Sequence, residues 1–451
     1  MEQNTLTLEK LSKWALSTKK EEIPQEVIEH AKKSLVNWLA VTWAGQETEE
    51  GRIFCGDNTQ GWVLGSGNAV ALGVKRGVSP MNAAFINGAN AHVLDFDDTH
   101  LGTVIHPSAP VFAALLSVIG EDAIVSGSDV LGAFSVACEL FIRIGISVNP
   151  KHYDSGWHIT ASLGGFGGAF AIAKLMGFNL KQTVNAAALA GLGTSGFRSA
   201  FGTMGKPYQV GLAASNSVLA AEMAQMGADG PANFLESNRG LMITTDRIDY
   251  SAFDDLGRRW EFMNNSFKPY PCGVVTHPVI DGGVEIHNLG IAPNEIEAIV
   301  GAVHPLVNEL TAIQNPTEGL DGKFSATFLL ALSICDGFVV PAQFNKECLA
   351  RTDIRELMSK ITFVNSKDMA RDAVELKIRL KIGSERIVRI DHASGSVENP
   401  MNWKQVEEKY YRLTSAWGKS KQDEILSFLK GFDAAPRAST LVEYMKQLSY
   451  V

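Results

Sequence analysis

The stretch HITASLGGFGGAFAIAKLMG, residues 158–177, decides the fold. It reads as a helix crowded with Gly, Ala and Ser. Each Gly costs a helix roughly 1 kcal/mol against Ala, a cost that makes sense where other helices must come very close. Working outward, residues 181–192 and 208–227 continue the helical series, the second ending at Gly227. Upstream, SDVLGAFSVACELFIRIGI (128–146), capped by Ser128 or Asp129, and PSAPVFAALLSVI (107–119) read as two more apolar helices. Residues 79–95 open on Ser79 and Pro80, a good N-cap and first-turn pair. From Pro24 the pattern puts Val27, Ala31, Leu35, Leu39 and Val41 near one face and stops at Gly45.

The texture changes after about residue 265. IEAIVGAVH (296–304), KITFVNS (360–366) and AVELKIRLKIG (373–383) alternate like strands, and ERIVRID (385–391) follows Gly-Ser as the second arm of a hairpin. FSATFLLALSICDGF (324–338) is expected as a buried helix, and from Asn402 the chain returns to helices. The expected fold is mainly α: a large all-helical domain built from both chain ends, 1–266 and 400–451, plus a smaller inserted α+β lid domain over 267–399. There is no internal repeat and no low-complexity linker.

Composition narrows the function. The 451 residues are 45% apolar and 20% charged, an ordinary globular balance, with a net charge of −9 and no basic run of the kind nucleic acid selects. Cysteines at 55, 138, 272, 335 and 348 form no C-x-x-C pair, which argues against a zinc ribbon or a disulfide framework. The first 24 residues lack a basic n-region followed by an apolar core, and the apolar stretches are interrupted before membrane-spanning length. The expectation is a cytoplasmic protein that binds neither nucleic acid nor membrane.

The densest chemistry is HVLDFDDTH, residues 92–100. If the helix continues through it, His92, Asp95 and Thr99 share a face, and adjacent carboxylates can raise one another's pKa as a general acid or base requires. HPSAP (106–110) puts His106 just before a helix N-terminus, where anions are attracted, and GWHITAS (156–162) does the same for His158. FGTMGKPYQVG (201–211) sets Lys206 in a Gly-flanked turn before a helix. It fails the phosphate-loop pattern at Ala200 and Pro207, so Lys206 is read as a fixed cation for a carboxylate. GLGTSG (191–196) follows a helix and has no acidic ribose partner, so it is not read as a dinucleotide site. FKPYPCGVVTHP (267–278) holds Lys268, Tyr270, Cys272 and His277 between prolines at the proposed domain junction.

Taken together, HVLDFDDTH, HPSAP, GWHITASLGGFGGAFAIAKLMGF, FGTMGKPYQVGLAASNSVLAA, FKPYPCGVVTHP and the tail ENPMNWKQVEEKY resemble the MmgE/PrpD family, in that family's order and over nearly the whole chain. The family includes 2-methylcitrate dehydratases, cis-aconitate decarboxylases and an iminodisuccinate epimerase. The resemblance implies a helical domain plus a smaller lid domain, a homodimer, and neither metal nor organic cofactor. Its cis-aconitate decarboxylase pattern maps onto Asp95, Thr99, His106, His158, Lys206, Lys268 and Cys272. The expected activity is a lyase acting on a small polycarboxylate, by cis-aconitate-type decarboxylation or 2-methylcitrate-type dehydration, with epimerisation of an iminodisuccinate-like acid as the alternative.

In this reading Asp95, Thr99, His106, His158 and Lys206 are catalytic, and Lys206, Lys268, Tyr270, Cys272 and His277 bind substrate. His92, Asp97, Asp98 and His100 are left as shapers of the turn. Either reaction needs negative charge beside a carboxylate to be stabilised, which cations in a water-poor pocket provide. After loss of CO₂, His106 or His158 would protonate the carbanion-like centre. Two rivals carry less weight. DFDDT (95–99) fits the D-x-D-D-T pattern of some terpene cyclases, yet aromatics are only 8% of the chain. A non-enzymatic helical scaffold would scatter these ionisable groups over the surface.

Overall fold

A computed structural model describes residues 6–56, 65–121 and 123–449. The fold is mainly α, with its few strands confined to a two-stranded and a four-stranded sheet. The chain divides into two compact units: Met1–Val93, Asp97–Ser266 and Asn402–Val451 form one, and Leu94–Phe96 with Phe267–Met401 form the other.

The first unit is built around seven helices: α1 (Gln25–Gln46), α2 (Pro80–Val93), α3 (Ser108–Ser117), α4 (Gly127–Val148), α5 (Ile159–Leu175), α6 (Leu180–Leu192) and α7 (Gly205–Met226). Helix α5, the Gly-rich stretch, is buried without a break from Ile159 to Ala173. Its glycines allow the close approach the sequence implies: a Cβ on Gly168 would fall 2.2 Å from Ser217 Oγ of α7. Helix α7 packs on α2, α5 and α6, and α3 on α2 and α5. Gly211 lets α7 meet the backbone of α2, since a Cβ there would lie 2.5 Å from the Phe85 carbonyl oxygen. The tail of the chain adds helices Trp403–Leu413, Lys419–Lys430 and Ser439–Leu448 to this unit.

Two local expectations are corrected. The cap of α4 is Ser126, whose hydroxyl accepts the Asp129 N–H while Asp129 answers the Ser126 N–H; the capping box lies just upstream of the expected residues. Helix α4 is also 22 residues long, and it is the one helix among the described residues long and apolar enough to cross a membrane. In this structure 94% of that apolar window is buried. The charges inside the helix are paired: Arg143 and Glu139 bond to each other, Arg143 Nη1 donates to Asp255 Oδ1 at 2.6 Å, and Glu139 Oε2 accepts the Phe262 N–H at 2.9 Å. A buried ion pair survives only with such additional partners.

The second unit has a four-stranded sheet. The strand pair β1 (Thr99–His100) and β2 (Asn265–Ser266) belongs to the first unit, and the second unit's sheet consists of β3 (Ile296–Val303), β4 (Ile361–Asn365), β5 (Val374–Leu380) and β6 (Glu385–Ile390). The sheet order is β4-β3-β5-β6, with β3–β4 parallel and the other pairs antiparallel. The Gly-Ser turn between β5 and β6 needs Gly383 at φ +84. Val374, Leu376 and Ile378 of β5 alternate inward, whereas β6 buries only Val388 and turns Arg386 and Arg389 outward, as an edge strand should. Helices α8 (His277–Asn288) and α9 (Ala326–Asp336) close the core, α8 lying on β5 and β6.

Candidate active site

The residues of HVLDFDDTH do not share a helix face. Helix α2 stops at Val93, Asp95 takes φ +53, and Thr99–His100 is a strand. Aspartate tolerates the left-handed region better than most residues. Here two lysines of the inserted unit hold it: Lys268 Nζ donates to Asp95 Oδ1 at 2.8 Å and to its carbonyl at 3.0 Å, and Lys323 Nζ donates to the Leu94 carbonyl at 2.6 Å. Helical spacing therefore does not relate His92, Asp95 and Thr99.

What the reversal achieves in the helical unit is a second approach of the chain to the end of α2. Asp97, fully buried, accepts from His92 Nδ1 at 2.7 Å, and His106 Nδ1 stands 3.1 Å from its other oxygen. Burial pushes the Asp97 carboxyl up, but the two histidines outweigh it and hold the group well below the usual carboxylate range. At that distance the carboxylate favours positive charge on the His106 ring by direct attraction. Thr99 Oγ1 lies 3.2 Å from the same nitrogen, and the His106 backbone N–H donates to Thr160 Oγ1 at 3.1 Å. The His158 ring stacks on His92 at 5.6 Å between centroids and meets Phe201 edge-on at 5.1 Å.

Lys206 lies in the first turn of α7 rather than in a turn before it, since Pro207 is tolerated there. Its Nζ is 5.5 Å from the centre of the Phe201 ring. The start of α3, expected to attract an anion, is already met by Asp98, which accepts the Ser108 N–H at 3.3 Å, the Ser108 hydroxyl, and Asn265 Nδ2 at 2.7 Å. Burial raises Asp98 to about 6.

The structure brings Thr99, His106 and His158 together with His92 and Asp97, which the sequence reading left as turn shapers, and with Gln209, which it did not name and which bonds His158. His92, Asp97 and His106 also offer three donor atoms within 4.8 Å of one another, the one fully buried set of that kind among the described residues. The His92–Asp97 separation of 2.7 Å is hydrogen-bond spacing, whereas neighbouring ligands on tetrahedral zinc stand roughly 3.3 Å apart. A metal would have to open the pair.

In the inserted unit, Asp95 and Lys268 form the ion pair, with Cys272 in their field. Cys272 is fully buried beside Thr276 Oγ1 at 3.2 Å, and burial pushes its thiol up to about 12. It is no thiolate nucleophile at neutral pH. Iodoacetamide will leave Cys272 unmodified in the folded protein and label it after denaturation. Rapid labelling of the folded chain, read by peptide mass spectrometry, would contradict this. Tyr270 donates to Asp281 Oδ1 at 2.6 Å, and Asp281 Oδ2 accepts the Ser394 N–H at 2.6 Å. His277, the first residue of α8, sets its ring 5.5 Å from that of Tyr270.

Two family models match the chain. Models described as the MmgE/PrpD N-terminal domain and the MmgE/PrpD C-terminal domain match residues 9–248 and 270–431. The chain is 26% identical to a cis-aconitate decarboxylase of Aspergillus terreus over 467 residues, covering 96% of this chain and 94% of the relative. It is 26% identical to the mouse cis-aconitate decarboxylase over 348 residues, 73% and 71% of the two chains. For the human cis-aconitate decarboxylase the figures are 24% over 387 residues, 81% and 79%.

Proposed function

The chain belongs to the MmgE/PrpD family, and from that premise we propose that it is a lyase that decarboxylates cis-aconitate to itaconate. Near full-length similarity to cis-aconitate decarboxylases supports this choice within the family. The observation that carries it is the buried Asp97 carboxylate with a histidine on either oxygen. In the reaction the bond to one carboxylate breaks and CO₂ leaves. Its electron pair becomes the new double bond, and the far carbon of the old double bond takes a proton. That step needs an acid able to hold a proton at neutral pH in a dry site, and a histidine backed by a carboxylate is such an acid. In the helical unit, Lys206 in the first turn of α7 is the cation for a substrate carboxylate.

The test is incubation of the purified chain with cis-aconitate, 2-methylcitrate, citrate and iminodisuccinate, with products read by NMR. Itaconate and CO₂ from cis-aconitate are expected. Turnover of 2-methylcitrate or iminodisuccinate with cis-aconitate untouched would replace the proposal by a dehydratase or an epimerase.

A further inference from the structure

The two kinds of histidine in the helical unit are held in opposite ways, and the difference assigns their roles. Gln209, on the second turn of α7, is nine-tenths buried and has only one workable orientation. Its Oε1 accepts the Phe197 backbone N–H at 2.8 Å, and its Nε2 donates to the Phe197 carbonyl at 3.1 Å. Turning the amide over would set N–H against N–H and oxygen against oxygen. Phe197 cannot yield, because the segment is laced to the start of α5: Trp157 and Phe197 form a bridge, Arg198 N–H donates to the Gly156 carbonyl at 2.8 Å, and His158 N–H donates to Gly196 at 3.1 Å. Gly196 is required there, at φ +115, with room for a Cβ only 2.7 Å from Ala161 Cβ.

The fixed amide points its remaining N–H at His158 Nδ1, 2.8 Å away. That nitrogen must accept, so it carries no proton, and the proton of the neutral ring sits on Nε2. For the ring to become an imidazolium, a second N–H would have to point into the amide N–H. The groups that face the ring from neighbouring elements do not reverse this. They include the His92 ring, stacked at 5.6 Å with its Nδ1 on Asp97, and Phe201, with Lys206 above it.

We propose that Gln209 is a positioning residue that locks His158 as a neutral Nε2–H donor, so that His158 stabilises developing negative charge without transferring a proton, and that His106 is the proton donor. His106 suits that role because Asp97 and Thr99 both stand at its Nδ1, and an imidazolium is favoured beside the carboxylate. Its Nε2 proton passes to substrate carbon as CO₂ leaves, and the ring is left neutral with Nδ1–H beside Thr99 and Asp97. His106 is also the more accessible of the Asp97 pair, 9% exposed at the side chain against 0% for His92. Neutral His158 transferring its only proton would leave an imidazolate, a far stronger base than the neutral imidazole that His106 leaves behind.

The role assignment rests on the decarboxylase reading, whereas the tautomer does not. The first measurement is therefore made on substrate-free, full-length protein labelled with ¹⁵N-histidine, with His158 assigned by loss of its signals in His158→Asn. A bare Nδ1 and a protonated Nε2 are expected across roughly pH 6 to 8. A protonated Nδ1 at any point in that window overturns the lock, whatever acid the enzyme turns over. Gln209→Glu, whose carboxylate accepts, should bring a proton to Nδ1, and Gln209→Met should give a mixture of tautomers. The second measurement is turnover. His158→Gln keeps an untitratable N–H and should retain about a tenth of kcat, while His158→Phe should fall about 10³-fold. Equal loss in both variants would make His158 a proton carrier and overturn the assignment.

Discussion

Asp97→Asn will lower kcat on cis-aconitate by about 10³-fold, with a far smaller change in KM, a loss in the range general acid–base groups contribute. The asparagine fills the same volume but cannot accept from both imidazoles. Its amide N–H₂ must face a ring nitrogen, so either His92 or His106 has to move its proton from Nδ1 to Nε2, and neither keeps an anion beside it. Steady-state kinetics on the variant decides it; turnover within tenfold of the parent would remove Asp97 from the mechanism. The same substitution changes acid stability in a defined sense. The folded Asp97 carboxyl lies well below its ordinary value, so its stabilisation is present above about pH 4 and is lost as pH falls through the folded value. Neighbouring Asp98 runs the other way, because burial raises it to about 6 and its contribution is lost as pH rises through that value. Denaturation midpoints against pH should show a shallower acid slope in Asp97→Asn, the part carried by lowered carboxylates such as Asp255 and Glu261 remaining, and keep the Asp98 slope.

Lys268→Met will destabilise the inserted unit by about 3 kcal/mol, the size expected when one partner of a buried pair is removed. Lys268 is 2% exposed and grips both the carboxylate and the carbonyl of Asp95, a residue already in the left-handed region. The methionine fills the space and leaves the Asp95 carboxylate without its ammonium. Asp95→Asn placed on top of Lys268→Met should recover part of the loss, since the uncompensated charge is then gone. Urea titrations of the two single variants and the double variant measure this. A double variant no more stable than Lys268→Met would mean that the pair contributes through packing rather than charge.

The helices were legible because their signals are local. Ser79-Pro80, the Gly-rich run of α5 and Gly227 after α7 each act within a turn or two of the chain, and the strands from Ile296 onward alternate over their own length. His106 and His158 were legible for the same reason, each preceding a helix start. Asp97 was not. Its contacts with His92 and His106 depend on the chain reversing at Asp95, and the groups that hold the reversal lie 173 and 229 residues away. No periodicity carries that information, so a helix drawn through Asp95 looked reasonable and put the wrong residues on one face. Gln209 was hidden by a similar cause: its meaning comes from the Phe197 backbone, which no sequence pattern links to His158.

The tripeptide Leu94–Phe96 is counted with the inserted unit although the residues on both sides of it are not. The polypeptide therefore passes from one unit to the other four times rather than twice. Anyone recombining these proteins as interchangeable modules would cut at 266/267 and 401/402 and carry away a segment missing three of its own residues, while the recipient kept three that belong to the unit it gave up. A chimera that respects the architecture has to transplant 94–96 together with 267–401, and a stretch too short to be drawn as a domain decides whether the exchanged parts match.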